Sequence, residues 1–412
     1  MDKSSKNILI SAYACEPNVG SEPGVGWNWV MDLSETYEEV HVVTRSEDRY
    51  VDADGVKKAR PSKLNIEEEM KKLPTLNHIH FHYFDLPQWI SNLERTIVGD
   101  ILNVHIWEFF LFFFLKKRFN KNEFAVAQKV TIVSHRYPSS IWYFAKRYIH
   151  GPIAGGENFP LKLLPIFDSK NKLKEIVRRA FQYVPMFNPL VWLTLAKAET
   201  IIPVTYDTAS ILPKRFQPKC DVKQAISLSH ESFTKGGQLS GMDASQNAPL
   251  ALLFVGKLMA WKGIILVLNA LKTLKSEIPV VLNVVGDGPE KSAFQQYVSE
   301  HELPVNILGK KKRTELPDYY ASHDLFVFPS LRDSGGFVVL EAQANDLPCL
   351  VLDLGGPFVN HIPEKDIVIY TKNKTPEDLA NDIARAIKEF YLHKKGRSSI
   401  ANHDMDSMVN PL

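Results

Sequence analysis

The segment SLRDSGGFVVLEAQANDLPCLVLDLGGP, residues 330–357, sets Asp333 and Glu341 eight positions apart around Gly335 and Gly336. The run from Phe337 to Ala344 carries a helical pattern, so the two glycines stand at its start. Glycines there let a ligand approach bare backbone N–H groups, and the helix dipole adds a favourable potential for an anion. A diphosphate suits such a terminus. Glu341 lies about one helical turn inside, where it can accept hydrogen bonds from a ribose, and Asp333, ahead of the loop, can reach a sugar hydroxyl. An isolated Asp-to-Glu spacing would equally describe a strand, turn and helix with solvated acids. The full string is far more specific.

The segment FVGKLMAWKG, residues 254–263, reads as a strand ending at Gly256 and a short loop flanked by Lys257 and Lys262. Two ammonium groups at the carboxyl end of a strand can converge on one diphosphate and stabilise it as a leaving group. Alone, such a pair is ordinary solvated surface. VVGDGP, residues 284–289, reads as strand, tight turn and helix start, compatible with a purely structural role. In the first half, ACEPNVGSEPGVGWNW (14–29) holds Gly20, Gly24 and Gly26, with a helix expected from near Val25. That loop can bring backbone close to a phosphate or sugar, but it lacks the GxGxxG spacing of a dinucleotide site. GPIAGGENFP (151–160), with Glu157 as its only acid, reads either as a binding loop or as a turn.

These loops need strands to carry them. In the second half, the runs 251–255, 280–285, 305–308, 325–328 and 349–352 alternate with helix-length segments, the signature of a parallel sheet with crossover helices. The first half repeats the theme with 7–13, 39–44, 79–84 and 129–134 as expected strands. Residues 211–249 are rich in Pro, Gly, Ser, Gln and Lys without sustained apolar period, which puts a domain boundary near Lys219. The expectation is α/β: an amino-terminal domain over 1–218, a carboxyl-terminal domain over 219–395 and a polar tail over 396–412. Two such domains would face each other across a cleft at the carboxyl ends of their sheets.

The 412-residue length suits two or three domains, and 45% hydrophobic with 23% charged content excludes a disordered or collagen-like chain. With 49 basic against 47 acidic residues, the net charge of +2 gives no global field for nucleic acid. Cys15, Cys220 and Cys349 form no CxxC pair, so neither a disulfide framework nor a structural zinc site is expected, and a reducing, cytoplasmic setting fits. The opening MDKSSKNILISAYACE lacks the apolar core of a signal peptide. VHIWEFFLFFFL, 104–115, is too short to span a membrane and reads as a buried helix or, with Lys116, Lys117 and Arg118 at its end, as one lying on a membrane surface.

The strings GSEPGVGWNW, GPIAGGE, VGKLMAWKG and PSLRDSGGFVVLEA resemble retaining glycosyltransferases of family 4, which have the GT-B fold of two Rossmann-like domains with parallel sheets. The resemblance runs from about Ile8 to Tyr370. It implies a nucleotide-sugar donor bound by the second domain and an acceptor approaching through the first. Asp333 and Glu341 occupy the ends of the family's E-x7-E motif, facing the transferred sugar and the ribose. Lys257 and Lys262 match its basic pair at the diphosphate, and the backbone of Gly335, Gly336 and Phe337 would cradle phosphate or sugar. Gly309 and Lys310 sit where the family passes the base. The chain departs from the pattern in having Asp333 for Glu and Lys257 for Arg. Where the family often offers a histidine near the reacting sugar, this chain has Gln128 and Lys129, with His135 later. The returning carboxyl-terminal helix is also reduced: Pro376 to Tyr391 can form one helix, and the polar remainder is expected to be disordered.

The implied activity is retaining, metal-independent transfer of a hexosyl group from a UDP-, GDP- or ADP-sugar to a saccharide or lipid-linked saccharide, without a bound cofactor. DAD (52–54) and DMD (404–406) lie in polar stretches and are assigned to chance rather than to a metal site. A sugar-nucleotide epimerase, a phosphorylase and a non-catalytic binding or partner protein remain as alternatives. The basic run KNKLKEIVRRAFQYV, 170–184, together with 116–118, either holds the enzyme against anionic lipid or forms a solvated helix face.

Overall fold

The computed structural model describes residues 6–19, 21–51, 57–91, 97–224 and 248–396. The DAD and DMD triplets, Gly20, most of the polar stretch before residue 248 and the carboxyl-terminal tail lie outside them. The strands in chain order are β1 (Asn7–Ser11), β2 (Glu39–Thr44), β3 (Asp48–Val51), β4 (Lys57–Arg60), β5 (Ile79–Tyr83), β6 (Phe124–Lys129), β7 (Ala145–Ile153), β8 (Thr200–Pro203), β9 (Leu250–Val255), β10 (Val280–Val285), β11 (Val305–Gly309), β12 (Leu325–Phe328), β13 (Cys349–Leu352) and β14 (Ile367–Ile369). They form two six-stranded parallel sheets, ordered β5-β2-β1-β6-β7-β8 and β11-β10-β9-β12-β13-β14, and one antiparallel hairpin, β3-β4. Both sheets are Rossmann-like.

The chain divides into two compact units, one of residues 1–158 with 174–229, the other of 159–173 with 230–412. The second unit takes in 159–173 because Phe159, Leu163 and Phe167 are buried in its core. Its strands β12 and β13 are buried on both faces, without a single exposed residue, and so they read as continuous apolar runs. The helix Pro376–Lys394 completes that core, burying Leu379, Ile383, Ile387 and Tyr391 against the helix Ile264–Leu274. A capping box between Thr375 and Asp378 starts it.

In the first unit the structure corrects the expected strand over 129–134. The strand is β6, ending at Lys129, because Ile132 adopts a positive φ of 54° that no continuing strand accommodates. Val130 and Ile132 are buried all the same, which is why the run looks like a strand. The helix Ile97–Lys116 is buried on one side only. Val104, Trp107, Leu111 and Leu115 enter the core, and Phe109, Phe110 and Phe113 face solvent. Among the described residues, no helix is long and apolar enough to cross a membrane.

One backbone position sets how closely β9 and β12 deliver their loops. Gly263, at φ 72°, begins the helix Ile264–Leu274, and a Cβ there would sit 1.8 Å from the Pro329 carbonyl oxygen. Gly263→Ala therefore combines left-handed strain with a backbone clash. It should lower the stability of the second unit by about 2 kcal/mol or more, read as a shifted urea midpoint at unchanged slope. A shift no larger than that of an exposed surface alanine would contradict this packing.

Candidate active site

The second sheet reverses direction at β9. The chain runs outward through β10 and β11, then crosses to β12 and β13 on the other side. At such a switch point the loops leaving the two central strands diverge and open a crevice at the carboxyl ends, where ligands of these folds bind. Here those loops are 256–263 after β9 and 329–336 after β12. They are laced together where they leave the sheet, with Leu331 N–H donating to the Trp261 carbonyl at 2.8 Å and the Ser330 hydroxyl to the same oxygen at 3.2 Å.

The chemistry-bearing side chains meet across this crevice. Lys262 from the first loop forms an ion pair with Asp333 Oδ2 from the second, and both side chains are 18% exposed. Asp333 Oδ1 accepts the N–H groups of Gly335 and Gly336 at 3.1 and 2.9 Å. Those two donors were expected to be open to an anion. The Asp333 carboxylate takes them instead, because it lies two and three residues ahead and can fold back on the turn. What remains is the amino terminus of the helix Phe337–Ala344 itself, with its dipole and first N–H groups.

The loop after β13 supports that terminus. Gly356 N–H donates to the Asp333 carbonyl at 2.7 Å, and Asn360 Nδ2 donates to the Gly335 and Gly336 carbonyls at 2.8 and 3.3 Å. Glu341 lies one turn along the helix, 8% exposed. The Tyr320 hydroxyl donates to its Oε2 at 3.0 Å, and Arg313 lies 3.7 Å from Oε1. Burial pushes the Glu341 carboxyl above its usual range, and the Tyr320 hydrogen bond and Arg313 pull it partly back. Asn360, Tyr320 and Arg313 were not found from sequence, since no motif ties them to the residues they hold.

The other expected residues are spread around the same end of the sheet. Lys257 is exposed. Gly309 closes β11 at φ 72° and accepts the Gly286 N–H at 2.9 Å, and Lys310 beside it is exposed. The turn 286–289 is fixed by Leu258 N–H donating to the Asp287 carbonyl at 3.0 Å, which accounts for it structurally.

Gly24 and Gly26 are not in a loop. The helix begins at Ser21, four residues before the expected start, and carries both glycines inside it. A Cβ at Gly24 would lie 2.0 Å from the Val19 carbonyl oxygen and one at Gly26 2.1 Å from that of Ala14, so close packing accounts for both. His135 is buried, with one ring nitrogen 3.0 Å from the Ala154 carbonyl and the other 3.0 Å from that of Gln182, and burial holds its pKa down. Gln128 is buried and donates to the Gly151 carbonyl at 3.1 Å. Lys129 pairs with Glu108 at 3.1 Å, each 3% exposed. Glu157 is buried and accepts from Gly155 N–H, Thr205 and Thr208, which makes GPIAGGENFP a tightly anchored turn.

Residues 243–400 match the model of the glycosyl transferases group 1 family. A phosphatidylinositol N-acetylglucosaminyltransferase subunit of Saccharomyces cerevisiae is 23% identical over 228 residues, 54% of this chain and 50% of that protein. A putative teichuronic acid biosynthesis glycosyltransferase of Bacillus subtilis is 33% identical over 133 residues, 32% of each chain. The chain spans about half the length, or less, of these curated relatives. Among solved structures, a glycosyltransferase from Rickettsia africae superposes with a TM-score of 0.51 at 13% identity, covering 95% of this chain and 90% of that one. That likeness is one of fold.

The raised Glu341 pKa has a consequence for stability. The folded state keeps the proton where the unfolded chain, at about 4.3 for a free glutamate, has lost it. Stability of the second unit should therefore fall as pH rises from there through the folded value. Glu341→Gln should flatten this segment in thermal melts taken across acidic to neutral pH. An unchanged pH profile in the variant would show that Glu341 is not the responsible group.

Proposed function

We propose, from the match of residues 243–400 to the glycosyl transferases group 1 model, that this chain is a retaining glycosyltransferase. It transfers a hexosyl group from a nucleotide diphosphate sugar to a hydroxyl of a saccharide or lipid-linked saccharide. The observation that carries the reading is the meeting of Lys262, Asp333 and a helix amino terminus at the switch point of the second sheet. A hydrolase would instead need two carboxyls flanking the scissile bond.

In this reading the diphosphate takes over Lys262 and the helix terminus from Asp333, and Asp333 turns to a sugar hydroxyl. Glu341, held by Tyr320 and Arg313, accepts from the ribose. Gly309 and Lys310 pass the base. The bond from the anomeric carbon to the phosphate oxygen breaks first, its electron pair leaving with the diphosphate. Lys262, the exposed Lys257 and the helix dipole stabilise the developing charge. The acceptor oxygen attacks the same face, and its proton passes to the departing phosphate oxygen. Positive charge comes from the chain's own groups, so the proposal assigns no metal and no cofactor to the reaction. Acceptor recognition falls to the first unit.

The test is thermal shift against UDP, GDP and ADP and their hexose conjugates, because a ligand bound only by the folded state stabilises it by about 2.7 kcal/mol at 100 times its Kd. One base should respond selectively, with the response lost in Lys262→Ala and Glu341→Ala. No response to any nucleotide, or an undiminished one in Lys262→Ala, would overturn the reading and favour a partner role without catalysis.

A second observation bears on where the acceptor is met. The helix Ser169–Phe181 presents Leu173, Ile176, Val177 and Phe181 to solvent, at 45–63% exposure, and turns Glu175 inward against Arg178 and Arg179. The apolar stripe faces out, the reverse of a core-packed helix. Tyr183, Val184, Phe187 and Leu190 extend the exposed run, with Phe187 85% exposed. We propose that this surface seats on the cytoplasmic face of an anionic membrane, apolar side chains inserted and lysines such as Lys174 at the headgroups. The chain should float with vesicles containing phosphatidylglycerol, less in high salt, and Phe181→Ser with Phe187→Ser should abolish flotation. No flotation of the unaltered chain at either salt would remove the membrane from the account.

A further inference from the structure

We propose that Glu39, His41 and His80 form a binding site for a first-row divalent transition metal of the zinc type, which staples the edge strand β5 to β2. The alternation of side chains along a strand puts Glu39 and His41 on one face of β2, and His80 and His82 on one face of β5. The parallel register then sets His41 directly beside His80. One ligand atom from each of Glu39, His41 and His80 lies within 4.8 Å of the other two. His80 Nε2 is already 2.8 Å from Glu39 Oε2.

The cluster combines one held ligand with two movable ones. His41 Nδ1 and His82 Nε2 lie 3.0 Å apart and share a hydrogen bond, which orients the His41 ring. Phe119 and Phe124 meet the His41 ring edge-on, with centroids 5.5 and 5.2 Å away. Glu39 and His80 are exposed, at 55% and 44%, and can rotate the short distance to bonds of about 2.0–2.2 Å around an ion. His82 stands behind His41 as a hydrogen-bonded second neighbour, the arrangement that orients a metal-bound imidazole. Two imidazoles and a carboxylate select zinc, nickel or copper over magnesium or calcium, whose preference is for oxygen.

The place of the cluster argues for a stapling role. Glu39 opens β2, at the amino ends of the strands, opposite to the carboxyl ends where this fold class binds substrates. Among the described residues β5 pairs only with β2, so a shared ion fixes the strand that would otherwise peel first.

Titration calorimetry of the full chain, stripped with EDTA, against zinc chloride tests this. One equivalent should bind and raise the melting temperature, with magnesium failing to compete. His80→Ala and Glu39→Gln, both at exposed positions, should lose binding while keeping the metal-free melting temperature. His82→Ala should bind about tenfold more weakly, because its role is to orient His41. Absence of stoichiometric zinc binding would overturn the proposal, as would equal affinity in the His80→Ala and Glu39→Gln variants.

Discussion

The second unit is governed by one topological constraint, the reversal of strand order between β9 and β12. Because the chain leaves these neighbours in opposite directions, their loops diverge, and the gap must be filled by polar groups that can meet a ligand or each other. In this chain they meet each other. Lys262 reaches across to Asp333, Asp333 folds back onto Gly335 and Gly336, and the β13 loop fastens that turn from beneath through Gly356 and Asn360. The two N–H groups just ahead of the helix are thus taken by a carboxylate of the chain itself.

In the proposed reading that arrangement gives way to a ligand on energetic grounds. A partly exposed ion pair is weak, and Asp333 brings a single negative charge to the turn ahead of the helix. A diphosphate would bring more charge and more acceptor oxygens to the same lysine and dipole. Glu341 is in a different position. It is buried and held by Tyr320 and Arg313, so it offers a fixed acceptor where Asp333 offers a movable one. The two acids of one motif are separated by their surroundings, not by their chemistry.

Much of this was legible in the sequence where local pattern and burial agree. β10, β12 and β13 are short apolar runs between glycines, prolines and helices, and their limits coincide with those read from the chain. β6 was misplaced because the largely buried VTIV run that follows it has strand composition without strand conformation, Ile132 lying at positive φ. Gly24 and Gly26 look like loop residues and instead serve close contacts inside a helix. Tyr320, Arg313 and Asn360 could not be found, since each acts on a residue more than twenty positions away that only the fold brings near. The helix Ser169–Phe181 shows its amphipathic period plainly, but which face turns inward is settled by the buried Glu175 and its arginines.

The central claim is that Asp333 stands in for the diphosphate, and calorimetry of Asp333→Ala with the bare nucleoside diphosphate tests it most directly. Removing the carboxylate frees Lys262 and the Gly335 and Gly336 N–H groups and removes a like charge, so affinity should rise above that of the unaltered chain even as the proposed sugar transfer is lost. Weaker binding of the nucleoside diphosphate by Asp333→Ala would contradict the account.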